Sequence, residues 1–140
     1  MNWNDPDTRL TKNFTVEEAL YLAAWRKLHT PTDHEKQNIL KTLDVMEKIR
    51  AVCQHRIITV HCLIRPLEYN RLIGGAKKSA HIEGLACDFS IETMNCDDIR
   101  RLILPHLESL KIRMEDAKGS DWVHIDLNPP APNKSRFFKP

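Results

Sequence analysis

Ser79-Ala80-His81-Ile82-Glu83-Gly84-Leu85-Ala86-Cys87-Asp88 is the stretch from which the fold can be read. From Leu85 to Ile91, the apolar residues Leu85, Cys87, Phe89 and Ile91 alternate with Ala86, Asp88 and Ser90, the period of two imposed by a half-buried strand. The alternation predicts a strand that sets Asp88 on the face opposite its larger apolar side chains. Ahead of it lies a loop region, Arg65 to Ala80, with Pro66 and the Gly74-Gly75 pair. Further along, Trp122-Val123-His124-Ile125-Asp126 puts a second histidine on a later strand, beside several acids. Ile112 to Glu115 and Trp122 to Leu127 read as two strands joined by a turn over Lys118 and Gly119.

Working outward, Ile57, Ile58, Thr59 and Val60 are rich in β-branched residues and read as a buried strand ending near His61 and Cys62. Two capping boxes precede it. Thr15 with Glu18 predicts a helix from about Val16 to Lys27. Thr32 with Glu35, after Pro31, opens a longer helix whose Ile39, Leu43, Met46, Ile49 and Cys53 keep three-to-four spacing. Beyond the central stretch, a helix from about Asp97 to Leu110 uses Ile99, Leu102, Ile103, His106 and Leu110, with Pro105 disturbing its second half. Helices first and mostly strands later give an α+β class, with N-terminal helices packed on a small antiparallel sheet. The 140 residues fit one domain, 1–140, in which 128–140 form a proline-rich tail expected to wrap the surface or stay partly disordered.

Composition excludes several functions. With 21 Lys and Arg against 19 Asp and Glu, the formal charge is only +2, which argues against a nucleic-acid or membrane-surface binder. No apolar run approaches the roughly 20 residues of a membrane span. Met1 to Leu10 is polar and carries Asp5 and Asp7 where a secretory signal would be basic and then apolar, so synthesis in the cytoplasm without a signal peptide is expected. Cys53, Cys62, Cys87 and Cys96 contain no Cys-x-x-Cys pair and are expected to be reduced and mostly buried. His29, His34, His55 and His106 sit in ordinary helix or loop contexts. The glycines carry no phosphate-binding pattern.

His81 and His124 differ in their company. Two imidazoles and the Asp88 carboxylate on neighbouring strands are the donor set of an open zinc site, with a fourth position left for water. The patterns Ser-x-His-x-x-Gly-x-Ala-x-Asp (79–88) and Trp-Val-His-x-Asp (122–126) together resemble zinc peptidases of the D-Ala-D-Ala carboxypeptidase type, within the group that includes lysostaphin-like enzymes and the Hedgehog signalling domain. The resemblance runs from about Phe14 to Leu127. It is strongest between Arg65 and Asp88, where Arg65-Pro66-x-x-Tyr69-Asn70 and Gly74-Gly75-Ala76 also match.

The resemblance implies one Zn2+ per chain held by His81, Asp88 and His124, with Asp121, three residues before the last histidine, as the base. Glu115 and Asp116 are rivals for that role. It also implies that Arg65 binds a substrate carboxylate, which suits the paired donors of a guanidinium, and that Ser79 helps hold the substrate. Asp126, two residues past His124 on the same strand face, is placed to orient a ligand. Where such proteins commonly carry Ser-Gly-Tyr before the arginine, this chain has Cys62-Leu63-Ile64, and Ala80 replaces a frequent glutamine. The implied activity is hydrolysis of a peptidoglycan stem peptide or a related D-amino-acid peptide. The enzyme would be a monomeric D-Ala-D-Ala carboxypeptidase or L-Ala-D-Glu type endopeptidase, reaching the wall during phage or prophage lysis as an endolysin. The competing class is a non-catalytic zinc- or peptide-binding module of the same fold, such as a phage structural component.

Overall fold

The computed structural model describes residues 1–140. A short hairpin, β1 (Arg9–Thr11) and β2 (Phe14–Thr15), leads into α1 (Val16–Leu20). The Thr15 hydroxyl accepts from the Glu18 amide, and the Glu18 carboxylate accepts from the Thr15 amide, forming the predicted capping box. The helix is much shorter than the sequence suggested. At Tyr21 the backbone turns extended, and β3 (Tyr21–Leu22) and β4 (Lys27–Leu28) form a second hairpin. Tertiary contacts override helix propensity here, because the Tyr69 hydroxyl accepts from the Ala24 amide at 3.0 Å and the Trp25 ring meets Tyr69 edge-on.

The second capping box opens α2 (Asp33–Val52), whose Ile39, Leu43, Met46 and Ile49 are fully buried, as their spacing predicts. A five-stranded sheet follows in the order β5-β6-β8-β7-β9, formed by β5 (Thr59–Cys62), β6 (Ala86–Ser90), β7 (Arg113–Glu115), β8 (Val123–Asp126) and β9 (Phe137–Phe138). The first three pairings are antiparallel, but β9 runs parallel to β7, so the sheet is mixed rather than wholly antiparallel. The tail therefore does more than wrap the surface: it supplies the edge strand. At the other edge, β5 lies two residues later than read, and Ile57 is 79% exposed while Ile58 is buried.

Between strands, α3 (Leu67–Leu72) follows Pro66, and the predicted C-terminal helix is divided. Its first part is α4 (Cys96–Ile103), capped by the Asn95 side chain, which accepts from the Asp98 amide at 2.8 Å. A 3-10 turn over Leu104–His106 contains Pro105, which has no amide to continue the ladder, and α5 (Leu107–Leu110) completes the segment. His106 is exposed, not on the buried face, and Leu107 takes the inward position.

One hydrophobic cluster joins α2, α4 and one sheet face: Cys87 and Phe89 of β6 and Val123 and Ile125 of β8 are all fully buried against it. Strand alternation then places Asp88, His124 and Asp126 on the opposite face. All four cysteines are free; Cys53 and Cys87 are buried and Cys62 and Cys96 half-buried. No helix is long and apolar enough to cross a membrane.

Candidate metal centre

Register brings the first two donors together. In the antiparallel pairing of β6 and β8, Asp88 lies directly opposite His124, so both side chains stand side by side on one face. His81 arrives from a 3-10 turn, Ala80–Glu83, that feeds β6. The donor atoms of His81, Asp88 and His124 all lie within 4.8 Å of one another and could hold a metal ion.

The turn carrying His81 is fixed from three sides. Gly84 ends it at φ +77°, and a Cβ there would meet Ile39 Cγ1 of α2 at 3.0 Å. From α2, the Thr42 hydroxyl donates to the Gly84 carbonyl at 2.8 Å and the Asn38 amide to the Glu83 carbonyl at 2.9 Å. His81 Nδ1 donates to the Leu63 carbonyl at 2.7 Å, while the Arg65 amide donates to the His81 carbonyl at 2.8 Å. Asn38 and Thr42 were not singled out in the sequence. The available signal was two polar residues four apart inside the apolar stripe of α2.

These bonds decide which nitrogen each histidine offers. With Nδ1 committed to Leu63, His81 turns Nε2 toward Asp88 Oδ1 at 3.2 Å. That nitrogen is fully buried and has no hydrogen-bond partner of acceptable geometry. His124 Nδ1 faces Asp88 Oδ1 at 2.8 Å, and its Nε2 is held by Asp126 Oδ2 at 3.0 Å. Asp126 is itself gripped by Arg113, which donates from Nε at 2.8 Å and from Nη2 at 2.9 Å. An orphaned buried imidazole nitrogen, a second imidazole oriented by a carboxylate and a shared carboxylate oxygen fit zinc, which takes nitrogen and oxygen donors of this kind.

Electrostatics follow the same contacts. Burial alone would disfavour the His124 imidazolium, yet hydrogen bonds to Asp126 and Asp88, and their charges, raise its pKa to about 9. Burial would likewise raise Asp88, but the hydrogen bond from His124 and the close approach of the His81 and His124 imidazoles hold it far below the usual carboxylate range. Asp126 is lowered against its burial by His124 and Arg113. Cys62, opposite Asp88 on β5, has its thiol pushed up to about 12, chiefly by burial.

Around the donors, Arg65 Nη2 donates to Ser79 Oγ at 3.2 Å, and Arg65 Nε is buried without a partner. Ser79 Oγ also accepts from the His81 amide, so the residue caps the ligand turn. The neighbouring motif residues are structural: Tyr69 anchors the β3–β4 hairpin, and the Asn70 amide donates to the Ala76 carbonyl. A Cβ on Gly75 would collide with the side chain of Asn70, which is held by the Ala76 carbonyl, and this explains the glycine. Asp121 is exposed just before β8 and makes no hydrogen bond or ion pair with the donors. Continuing the β7–β8 register sets Glu115 beside His124. Asp116 instead lines a cleft toward Asp97 and Arg100 of α4.

The His, Asp, His cluster on one face of this α+β fold, with a carboxylate behind the second histidine, is a donor set of the kind zinc-dependent metallopeptidases use. The model of the Peptidase M15 family matches residues 12–126, and the chain belongs to that family. Searches of curated proteins and of solved structures returned no match.

Proposed function

We propose that the chain hydrolyses a peptide bond in bacterial cell-wall peptides, taking a substrate carboxylate at Arg65. The observation that carries this reading is the state of the Arg65 guanidinium. Its Nε is buried and unpartnered, its Nη2 meets only the Ser79 hydroxyl, and its backbone amide is bonded to the carbonyl of His81. A half-buried cation with spare donors, joined through Ser79 to the turn that carries His81, suits an anionic substrate group. Ser79 Oγ accepts from both Arg65 and the His81 amide, which leaves its own hydrogen free to donate to substrate.

In this reading His81, Asp88 and His124 hold one zinc ion, which when bound polarises the scissile carbonyl and acidifies a water. Asp126 fixes the His124 ring so that Nδ1 faces the centre. Asp121, exposed and free of side-chain partners, takes the proton of the attacking water and passes it to the leaving amine; Glu115 is the competing base by register. The carboxylate bound by Arg65 is either a terminal D-Ala, giving a D-Ala-D-Ala carboxypeptidase, or the free α-carboxylate of a γ-linked D-Glu, giving an L-Ala-D-Glu type endopeptidase. We place the activity in phage or prophage lysis.

Mass spectrometry of muropeptides after digestion of purified peptidoglycan tests the proposal. Loss of a single alanine identifies the carboxypeptidase, and release of the stem from its first alanine identifies the endopeptidase. An unchanged muropeptide profile with zinc-loaded protein overturns the reading in favour of a non-catalytic module.

A further inference from the structure

The residues after Asp126 lie beyond the family-matched segment, yet the chain returns to the metal centre. In β9, Phe137 lies beside Met114 and Phe138 beside Glu115, secured by the Met114 amide to the Arg136 carbonyl at 2.8 Å and the Asp116 amide to the Phe138 carbonyl at 2.6 Å. Phe137 packs against the hydrophobic cluster, and alternation sends Phe138 to the other face. There the Arg113 guanidinium lies over the Phe138 ring at 4.3 Å from its centroid, and His124 meets the same ring edge-on, with centroids 6.1 Å apart. Since Arg113 grips Asp126 and Asp126 holds His124 Nε2, the contacts close a circuit from Phe138 through Arg113, Asp126 and His124 back to Phe138.

We infer that Phe138 is a positioning residue that the C-terminal strand delivers to the metal centre, holding His124 in ligand geometry from behind. The inference rests on reading the cluster as a zinc site. The aromatic face stabilises the guanidinium in the orientation that grips Asp126, and strand order sets the ring on the side of His124 away from Asp88. Its removal lets Arg113 and the His124 imidazole adopt further rotamers, and zinc then has to order them on binding. Groups that orient a metal ligand typically contribute 10–100-fold to metal affinity, and Phe138 acts one contact further out, so roughly tenfold is expected.

The test uses the full chain with Phe138→Ala, Phe138→Leu and Phe138→Trp, and Phe137→Leu as a control on the core side of β9. Zinc affinity is measured by competition with a chromophoric chelator, and ligand geometry by the visible spectrum of the cobalt-substituted protein. Phe138→Ala should weaken zinc about tenfold and alter the cobalt spectrum. Phe138→Leu, which keeps apolar volume without a π face, should weaken zinc by a smaller factor in the same direction, and Phe138→Trp should restore both readouts. Phe137→Leu should lower the melting temperature and leave zinc affinity unchanged. If Phe138→Ala does not fold, Phe138→Leu decides: zinc affinity and cobalt spectrum equal to the parent overturn the inference. Lower thermal stability with unchanged zinc affinity overturns it as well, because Phe138 is then only packing. Parent protein that takes up no zinc refutes the metal reading itself, an outcome distinct from either.

Discussion

Raising the pH of the metal-free protein from about 6 to about 10 should remove a defined part of its stability, because the proton on His124 is a structural component of the cluster. With Asp126 Oδ2 at 3.0 Å and Asp88 Oδ1 at 2.8 Å, the imidazolium bridges two carboxylates, and its pKa rises from 6.5 to about 9 despite burial. One pKa unit corresponds to about 1.4 kcal/mol, so the protonated ring contributes on the order of 3 kcal/mol. A pKa raised on folding gives a contribution that is complete below pH 6.5 and lost as the pH climbs through about 9. The lowered pKa values of Asp88 and Asp126 express the same contacts from the acid side, so they are not counted again; that contribution is lost only as the pH falls below 3.8. For a chain of this size, 3 kcal/mol is roughly 10 °C in melting temperature. Thermal unfolding in the presence of a chelator, for the parent and His124→Gln, measures it. The parent should lose about 10 °C across the interval and the variant much less. Equal slopes for the two proteins would refute the reasoning. Saturating zinc should abolish the loss, since binding requires neutral His124 and the zinc-induced gain grows over the same window by the amount the metal-free protein loses.

Gly84→Ala should cost about 1–3 kcal/mol in chemical denaturation, because φ is +77° and the new Cβ would press Ile39 Cγ1 at 3.0 Å. Zinc affinity should fall with it, as the turn carries His81. Arg65→Lys should reduce kcat/KM on wall peptides by roughly 10–100-fold with zinc content unchanged, the value of a charge-assisted bond that an ammonium cannot reproduce. Activity equal to the parent would remove the carboxylate role. Asp121→Asn and Glu115→Gln, assayed side by side for zinc content and peptidoglycan cleavage, separate the two bases: the true one loses cleavage by at least about 100-fold and keeps its metal.

How much of the site the sequence disclosed follows from the range of each interaction. Asp88 and the core face of β6 are visible because a strand writes its own alternation locally, and the α2 stripe is visible for the same reason at helical period. His81 and His124 became informative through the spacing of glycine, alanine and aspartate around them. The failures are nonlocal. Val16 to Lys27 has helical propensity throughout, but Tyr69, more than forty residues away in sequence, captures the Ala24 amide and favours a hairpin. Phe137 and Phe138 sit among prolines and lysines that favour extended chain, and only the open edge of β7 makes them a strand. Arg113 reads as the polar position of a short strand; its role appears when register sets it opposite Asp126.

On the proposed reading, the same register lets the cluster fold without its metal and select an anionic ligand once loaded. In the metal-free protein near neutral pH, Asp88 and Asp126 are matched by Arg113 and protonated His124, so these four charges cancel over a few ångströms. Exchanging one His124 proton for a dication raises the local charge by one unit without moving a backbone atom. Arg65, whose backbone amide donates to the His81 carbonyl and whose buried Nε has no partner, supplies a second positive charge. Both terms attract a substrate carboxylate and carbonyl oxygen and repel a cationic terminus. The whole-chain charge of +2 is thus the wrong quantity for judging substrate choice. What governs it is a pair of charges fixed by strand register, one of which is present only when the site is loaded. Substrate affinity measured with a carboxylate-bearing peptide and its amide should therefore differ more in zinc-loaded protein than in metal-free protein, and an equal difference in both would separate Arg65 from the centre it adjoins.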